Sequence, residues 1–135
     1  MNSTLDDIQI IEIPKISDIK GNLSVVEKST IPFDIKRIFY LYDIRSDEDQ
    51  IGHAHKNLQQ VLIALSGSLE VVLNDGTNSK TITLNKPNLG LLIVPGIWRE
   101  LQNFSSGCVC LTIASAPFNE ADYIRNYSDF LTYKK

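Results

Sequence analysis

Gly52-His53-Ala54-His55, followed by Gln60-Val61-Leu62-Ile63-Ala64-Leu65-Ser66-Gly67, is the stretch on which the fold turns. His53 and His55 are the two histidines of the chain. The apolar run after them, closed by a glycine turn, places them on a β-strand. In a strand, residues two apart point to the same face, about 6.5–7 Å apart along the backbone. Both imidazoles therefore enter one small volume. They suit either of two tasks there: helping to hold a metal, or moving protons on one small molecule.

Outward from this stretch, short runs rich in Val, Ile, Leu and aromatics alternate with turn signals every 8–12 residues or so, the pattern of a sandwich or barrel. The expected strands are Ile8–Ile13, Asn22–Glu27, Lys36–Asp43, Gly52–His55, Gln60–Ser66, Ser68–Leu73, Lys80–Leu84, Leu89–Val94, Arg99–Phe104 and Val109–Ala114. Lys20-Gly21, Ser66-Gly67-Ser68, Asn74-Asp75-Gly76 and Pro95-Gly96 read as turns. The segment from Asn119 through Arg125 toward Leu131 reads as the one helix. The pattern predicts a closed or sandwiched all-β architecture around a central cavity.

At 135 residues the chain suits one domain, residues 1–135, and 43% hydrophobic residues can build a core. A net charge of -3 and scattered Lys and Arg argue against a nucleic-acid partner. The polar, acidic start, Met1-Asn2-Ser3-Thr4-Leu5-Asp6-Asp7, is unlike a signal peptide. No apolar run approaches the roughly 20 residues of a membrane span. Cys108 and Cys110, two apart, read as small buried hydrophobes of a reduced, cytoplasmic protein.

The order His53, His55, Gln60, Gly67 resembles the first motif of the cupin superfamily, in which two histidines are followed by Glu and Gly. Gly90-Leu91-Leu92-Ile93-Val94-Pro95-Gly96-Ile97-Trp98-Arg99 resembles the second motif, which normally carries a third His. The resemblance implies an all-β cupin jelly roll (double-stranded β-helix) with a short C-terminal helix. Two departures bear on a metal. Gln60 stands in the Glu position and is a weak neutral ligand; Arg99 stands in the third-His region and is a cation. A metal site of two imidazoles and one carboxylate survives only if Glu100 points inward and Arg99 outward. Proton chemistry is the other use. Imidazole takes and returns protons near neutral pH, and two of them address adjacent carbons of a hydroxy ketone through an enediol. The developing oxyanion then needs Tyr, Arg or Lys donors.

Ile31-Pro32-Phe33-Asp34-Ile35-Lys36-Arg37-Ile38-Phe39-Tyr40, His53-Ala54-His55-Lys56, Leu73-Asn74-Asp75-Gly76, Asn103-Phe104-Ser105-Ser106-Gly107-Cys108-Val109 and Glu120-Ala121-Asp122-Tyr123-Ile124-Arg125-Asn126-Tyr127 resemble, in order, the nucleoside-diphosphate-sugar 3,4-ketoisomerases. The resemblance runs from about Ile10 to Leu131. It implies an isomerase that moves a ketone from C4 to C3 of a dTDP-linked 4-keto-6-deoxy sugar. That step belongs to deoxyamino-sugar biosynthesis for glycans such as O-antigen or S-layer. It also implies a homodimer, no metal and no cofactor. His53 and His55 become the catalytic acid/base pair. Tyr40, Lys20, Arg37, Gln60, Trp98 and Arg99 become the candidates for substrate binding, although Trp98 also suits the core and Arg37 and Arg99 also suit the surface. The strand Ile8–Ile13 is expected to add to a partner's sheet edge. Lys20, where Arg is common before the glycine, keeps charge and loses the bidentate fork. Gln50-Ile51-Gly52 and Trp98-Arg99 also depart from the family's usual residues. A non-catalytic sugar-binding cupin and a metal-dependent cupin enzyme are the alternatives.

Overall fold

The computed structural model describes residues 2–45 and 50–135; the side chains of Gln50 and Ile51 lie outside the described residues. Two five-stranded antiparallel sheets face each other. One has the order β1 (Gln9–Glu12), β9 (Leu89–Ile93), β6 (Gln60–Ser66), β11 (Val109–Ala114), β4 (Arg37–Leu41). The other runs β12 (Tyr123–Ile124), β5 (Gln50–His55), β10 (Trp98–Gln102), β7 (Leu69–Asn74), β8 (Ser79–Leu84). A separate hairpin, β2 (Lys15–Asp18) and β3 (Gly21–Ser24), stands off the body with every residue exposed. One helix, α1 (Tyr127–Lys134), closes the chain. This is a cupin-like jelly roll.

Strand patterning follows position. In β7, Leu69, Val71 and Leu73 are buried and alternate with half-buried residues, because only one face meets the barrel interior. In β6 the first five residues are all buried. Leu62 and Ala64 face inward with Leu91 and Ile93. Val61 and Ile63 face outward under Ile13 and Ile31, from the segment that crosses the outside of this sheet.

The expected strands Gln60–Ser66 and Val109–Ala114 form with those limits. One expectation needs correction. The stretch from Asn119 is not one α-helix. Asn119 caps a single 3-10 turn, Glu120–Asp122. Tyr123 and Ile124 then pair with His55 and Ala54, where the open edge of β5 outweighs local helix propensity. The helix starts at Tyr127, after the Asn126 cap accepts from the Asp129 N–H. β1 pairs with β9 of its own chain, Gln9 to Glu12 against Leu92 to Leu89, and its outer edge forms the rim of the sheet. β2 lies outside the expected strands, because its residues have no buried face to impose a period.

Gly52 lies where the histidine strand passes under the second sheet's outer cover. A Cβ there would sit 2.6 Å from the Trp98 indole and 2.7 Å from the Glu100 side chain. Gly52→Ala is therefore expected to cost about 1–3 kcal/mol through overpacking. A lowered urea midpoint with unchanged slope checks it; an unchanged midpoint contradicts it.

Candidate active site

Directly opposed residues of an antiparallel pair share a face, so register fixes which side chains enter the barrel. His53 opposes Arg99, and Arg99 opposes Leu73 of the core. His55 opposes Tyr123. Gln60 of the facing sheet completes the inward set. The alternate residues Ala54, Trp98 and Ile124 face outward and bury the α1 residue Phe130.

His55 is fully buried. Its Nδ1 lies 3.1 Å from Asp122 Oδ2. The same carboxylate accepts the backbone N–H groups of Asn57 (2.8 Å) and Leu58 (3.2 Å), so it pins the chain leaving β5 as well as the ring. On the other side, the Gly96 N–H donates to the His55 carbonyl at 2.8 Å, a turn that Gly96 makes at φ +81°. The ring nitrogen Nε2 is buried and has no hydrogen-bond partner among the described residues. Burial first, then the positive charges of Arg99, Arg125 and Arg37, push the His55 imidazole down to about 3. At neutral pH the ring is therefore neutral. With Nδ1–H donated to Asp122, the lone pair rests on Nε2.

The His53 ring meets the His55 ring edge to face, centroids 4.9 Å apart and planes at 89°. Tyr123 packs on both, 4.3 Å from His55 and 5.2 Å from His53. Arg125 lies over the Tyr123 ring at 4.0 Å and is tied to Glu120 at 2.7 Å. Arg99 is 2% exposed. Its Nη1 donates to Gln60 Oε1 at 2.6 Å, and Nε and Nη2 donate to the Ile97 carbonyl. Burial lowers the Arg99 guanidinium to about 10, which leaves it charged at neutral pH.

A cleft of about 260 Å³ opens at His55, lined also by Arg37, Phe118, Asn119, Asp122 and Tyr123. The Arg37 guanidinium sits 4.3 Å over the Phe39 ring and 5.3 Å from the Phe118 ring. A larger groove of about 890 Å³, beside Asp75 and Lys134, is lined by no histidine, and the chemistry points to the smaller one.

Of the residues singled out from sequence, His53, His55, Arg37, Gln60 and Arg99 converge. Within one chain, the other three do not join them. Tyr40 is 59% exposed on the outer face of β4. Lys20 lies at the tip of the exposed hairpin. Trp98 is packed against Tyr127 and Phe130 outside the barrel. Asp122, Tyr123 and Arg125 were given no role from sequence. A buried imidazole calls for a carboxylate, but nothing local marks one 67 positions further on as its partner.

The donor set does not fit a metal ion. Glu100 accepts from the Trp98 indole N–H at 2.9 Å on the outer face, while Arg99 points inward. Gln60 is already engaged by that cation. Among the described residues no three His, Cys, Asp or Glu side chains gather as metal ligands. Cys108 and Cys110 are free and buried in the core, with the Cys110 thiol pushed up to about 12 by burial and by Cys108. No helix among the described residues is long and apolar enough to cross a membrane.

Burial of neutral His55 has a stability consequence. Its folded value near 3 lies below the ordinary 6.5, so across that interval the unfolded chain binds the extra proton. Stability therefore falls as pH drops from about 6.5 toward 3 and is level with respect to this group above 6.5. Urea midpoints at pH 7 and pH 4.5 are expected to differ less in His55→Asn than in the parent. An equal difference in both proteins would refute the assignment.

Paired imidazoles beside a locked guanidinium, inside a jelly roll, place the protein in the cupin class. The FdtA (WxcM-like, C-terminal) family profile matches residues 6–135. The chain is 44% identical over 126 residues to the TDP-4-oxo-6-deoxy-alpha-D-glucose-3,4-oxoisomerase of Aneurinibacillus thermoaerophilus, covering 93% of this chain and 91% of that one. A histidine-to-asparagine mutant of the 3,4-ketoisomerase QdtA from Thermoanaerobacterium thermosaccharolyticum, solved in complex with TDP-4-keto-6-deoxyglucose, superposes with a TM-score of 0.95. It is 41% identical, over 98% of this chain and 96% of that one. The WlaRB TDP-quinovose 3,4-ketoisomerase of Campylobacter jejuni gives a TM-score of 0.91 at 43% identity, over 95% of this chain and 99% of that one. The chain belongs to the FdtA family. It is a 3,4-ketoisomerase.

Proposed function

We propose that this chain moves the ketone of TDP-4-keto-6-deoxyglucose from C4 to C3 through an enediol, with His55 as the base and His53 as its partner in proton relay. The observation that carries this reading is the buried, unpartnered Nε2 of His55, whose opposite nitrogen is held by Asp122. A neutral imidazole so arranged can remove the proton α to a ketone. His53, close against it, is placed to hand a proton to the neighbouring carbon. The Arg37 guanidinium at the cleft suits the diphosphate. The 3-keto product is the substrate class of a sugar 3-aminotransferase.

We also propose that the working form is a homodimer. The hairpin exposes Ile16 (61%), Ile19 (101%) and Leu23 (58%), and the β4 face exposes Ile38, Tyr40 and Tyr42. Apolar surfaces of this kind favour cover by a second copy. Such pairing would also bring Lys20 and Tyr40 to a substrate that a lone chain leaves out of reach.

Incubation with TDP-4-keto-6-deoxyglucose in deuterated water, followed by NMR, tests the reaction. Solvent deuterium at the reprotonated carbon and a new C3 ketone are expected. An unlabelled, unchanged sugar would defeat the assignment.

A further inference from the structure

Arg99 is a buried cation whose opposing charge, Asp122, acts on it from a distance and is already bonded to His55. Its three described bonds go to an amide oxygen and a backbone carbonyl, and none goes to a carboxylate. Among the described residues no carboxylate lies in ion-pair range of it. Such a charge is costly to bury and is kept where something anionic is to be met. The Gln60 and Ile97 bonds use three of the five guanidinium N–H groups and fix its plane, leaving two for a ligand. The same guanidinium enters from the position directly opposite His53 and helps to keep His55 neutral.

We infer that Arg99 is the electrophile of the reaction: its guanidinium binds the ketone oxygen and carries the negative charge that forms there. The inference rests on the isomerase reading above. His55 Nε2 takes the proton from C3. The C3–H electron pair becomes the C3=C4 bond, and the carbonyl π pair moves onto O4, against the guanidinium. O4 gains a proton and O3 loses one. C4 then takes a proton as the C3 carbonyl forms. C3 and O3 each lose a proton and O4 and C4 each gain one, exchanged with solvent at the histidines, and no oxidant or reductant is consumed. A fixed donor pair needs no reorganisation as the charge develops, which is where such a group acts most strongly.

The test is Arg99→Ala and Arg99→Lys, followed by NMR in deuterated water and by titration with TDP. Arg99→Ala is expected to lower kcat by about 10²–10³-fold. TDP affinity should stay within about twofold, because the lost contact belongs to the transition state. Guanidinium chloride is expected to restore part of kcat in Arg99→Ala and none in Arg99→Lys, whose side chain fills the space. Should Arg99→Ala fail to fold, Arg99→Lys decides alone: it retains charge without the planar fork, and kcat should fall more than about tenfold at unchanged TDP affinity. Unchanged kcat overturns the inference, as does a loss confined to TDP affinity and KM. A parent protein that introduces no deuterium would instead sink the isomerase reading.

Discussion

His55→Asn is expected to remove turnover almost completely, lowering kcat by about 10³–10⁴-fold, at the upper end of what a positioned general base contributes. Asparagine is close to the imidazole in size and can still face Asp122, so the fold should persist. What it lacks is the basic Nε2, the one buried polar side-chain atom among the described residues without a partner. His53 addresses a different direction: its ring stands at 89° to that of His55. The measurement is single-turnover NMR alongside circular dichroism melting. A folded His55→Asn protein with kcat within tenfold of the parent would move the base to another residue.

Asp122→Asn is the second large effect, with an expected loss in kcat of about 10²–10⁴-fold, as carboxylates that fix a catalytic tautomer show elsewhere. The Asp122 carboxylate accepts from three donors at once: His55 Nδ1–H, Asn57 N–H and Leu58 N–H. An amide has one acceptor oxygen and one donor nitrogen. Whichever way it turns, at least one N–H is left facing another N–H. If the nitrogen faces the ring, His55 must place its proton on Nε2 and its lone pair on the wrong side. If the oxygen does, the 55–58 backbone loses its anchor and the ring shifts. Two readouts separate these cases: ¹⁵N chemical shifts of His55 report the tautomer, and the melting temperature reports the loop. Asp122→Asn with parental kcat and parental ¹⁵N shifts would show that the contact is idle.

The two predictions differ in how visible their residues are in the sequence. His53 and His55 share a face because strand period is a local property, and the apolar run from Val61 made the strand legible. Gln60 and Arg99 were each marked by spacing, and both enter the barrel, but their mutual bond joins positions 39 apart on facing sheets. The choice between Arg99 and Glu100 as the inward residue shows the boundary well. Alternation says that one faces in and the other out. Which is which depends on the register of β10 against His53 and Leu73, set by two neighbouring strands at once. Asp122 and Tyr123 were misread because Asn119 to Arg125 has local helical character. Their real conformation comes from pairing with the β5 edge, a partner no local pattern announces.

By itself the sequence determined the β class, most strand positions, the convergence of the two imidazoles and the likeness to keto-sugar isomerases. All of these follow from short-range periodicity, turn chemistry or ordered motifs. Only the tertiary structure decided that Asp122 holds the His55 ring, that a guanidinium and not a carboxylate enters from β10, and that Trp98 serves the helix instead of the cavity. Those outcomes depend on charges and hydrogen-bond partners brought together from distant strands. Their energies exist only once the barrel has closed and water has left it.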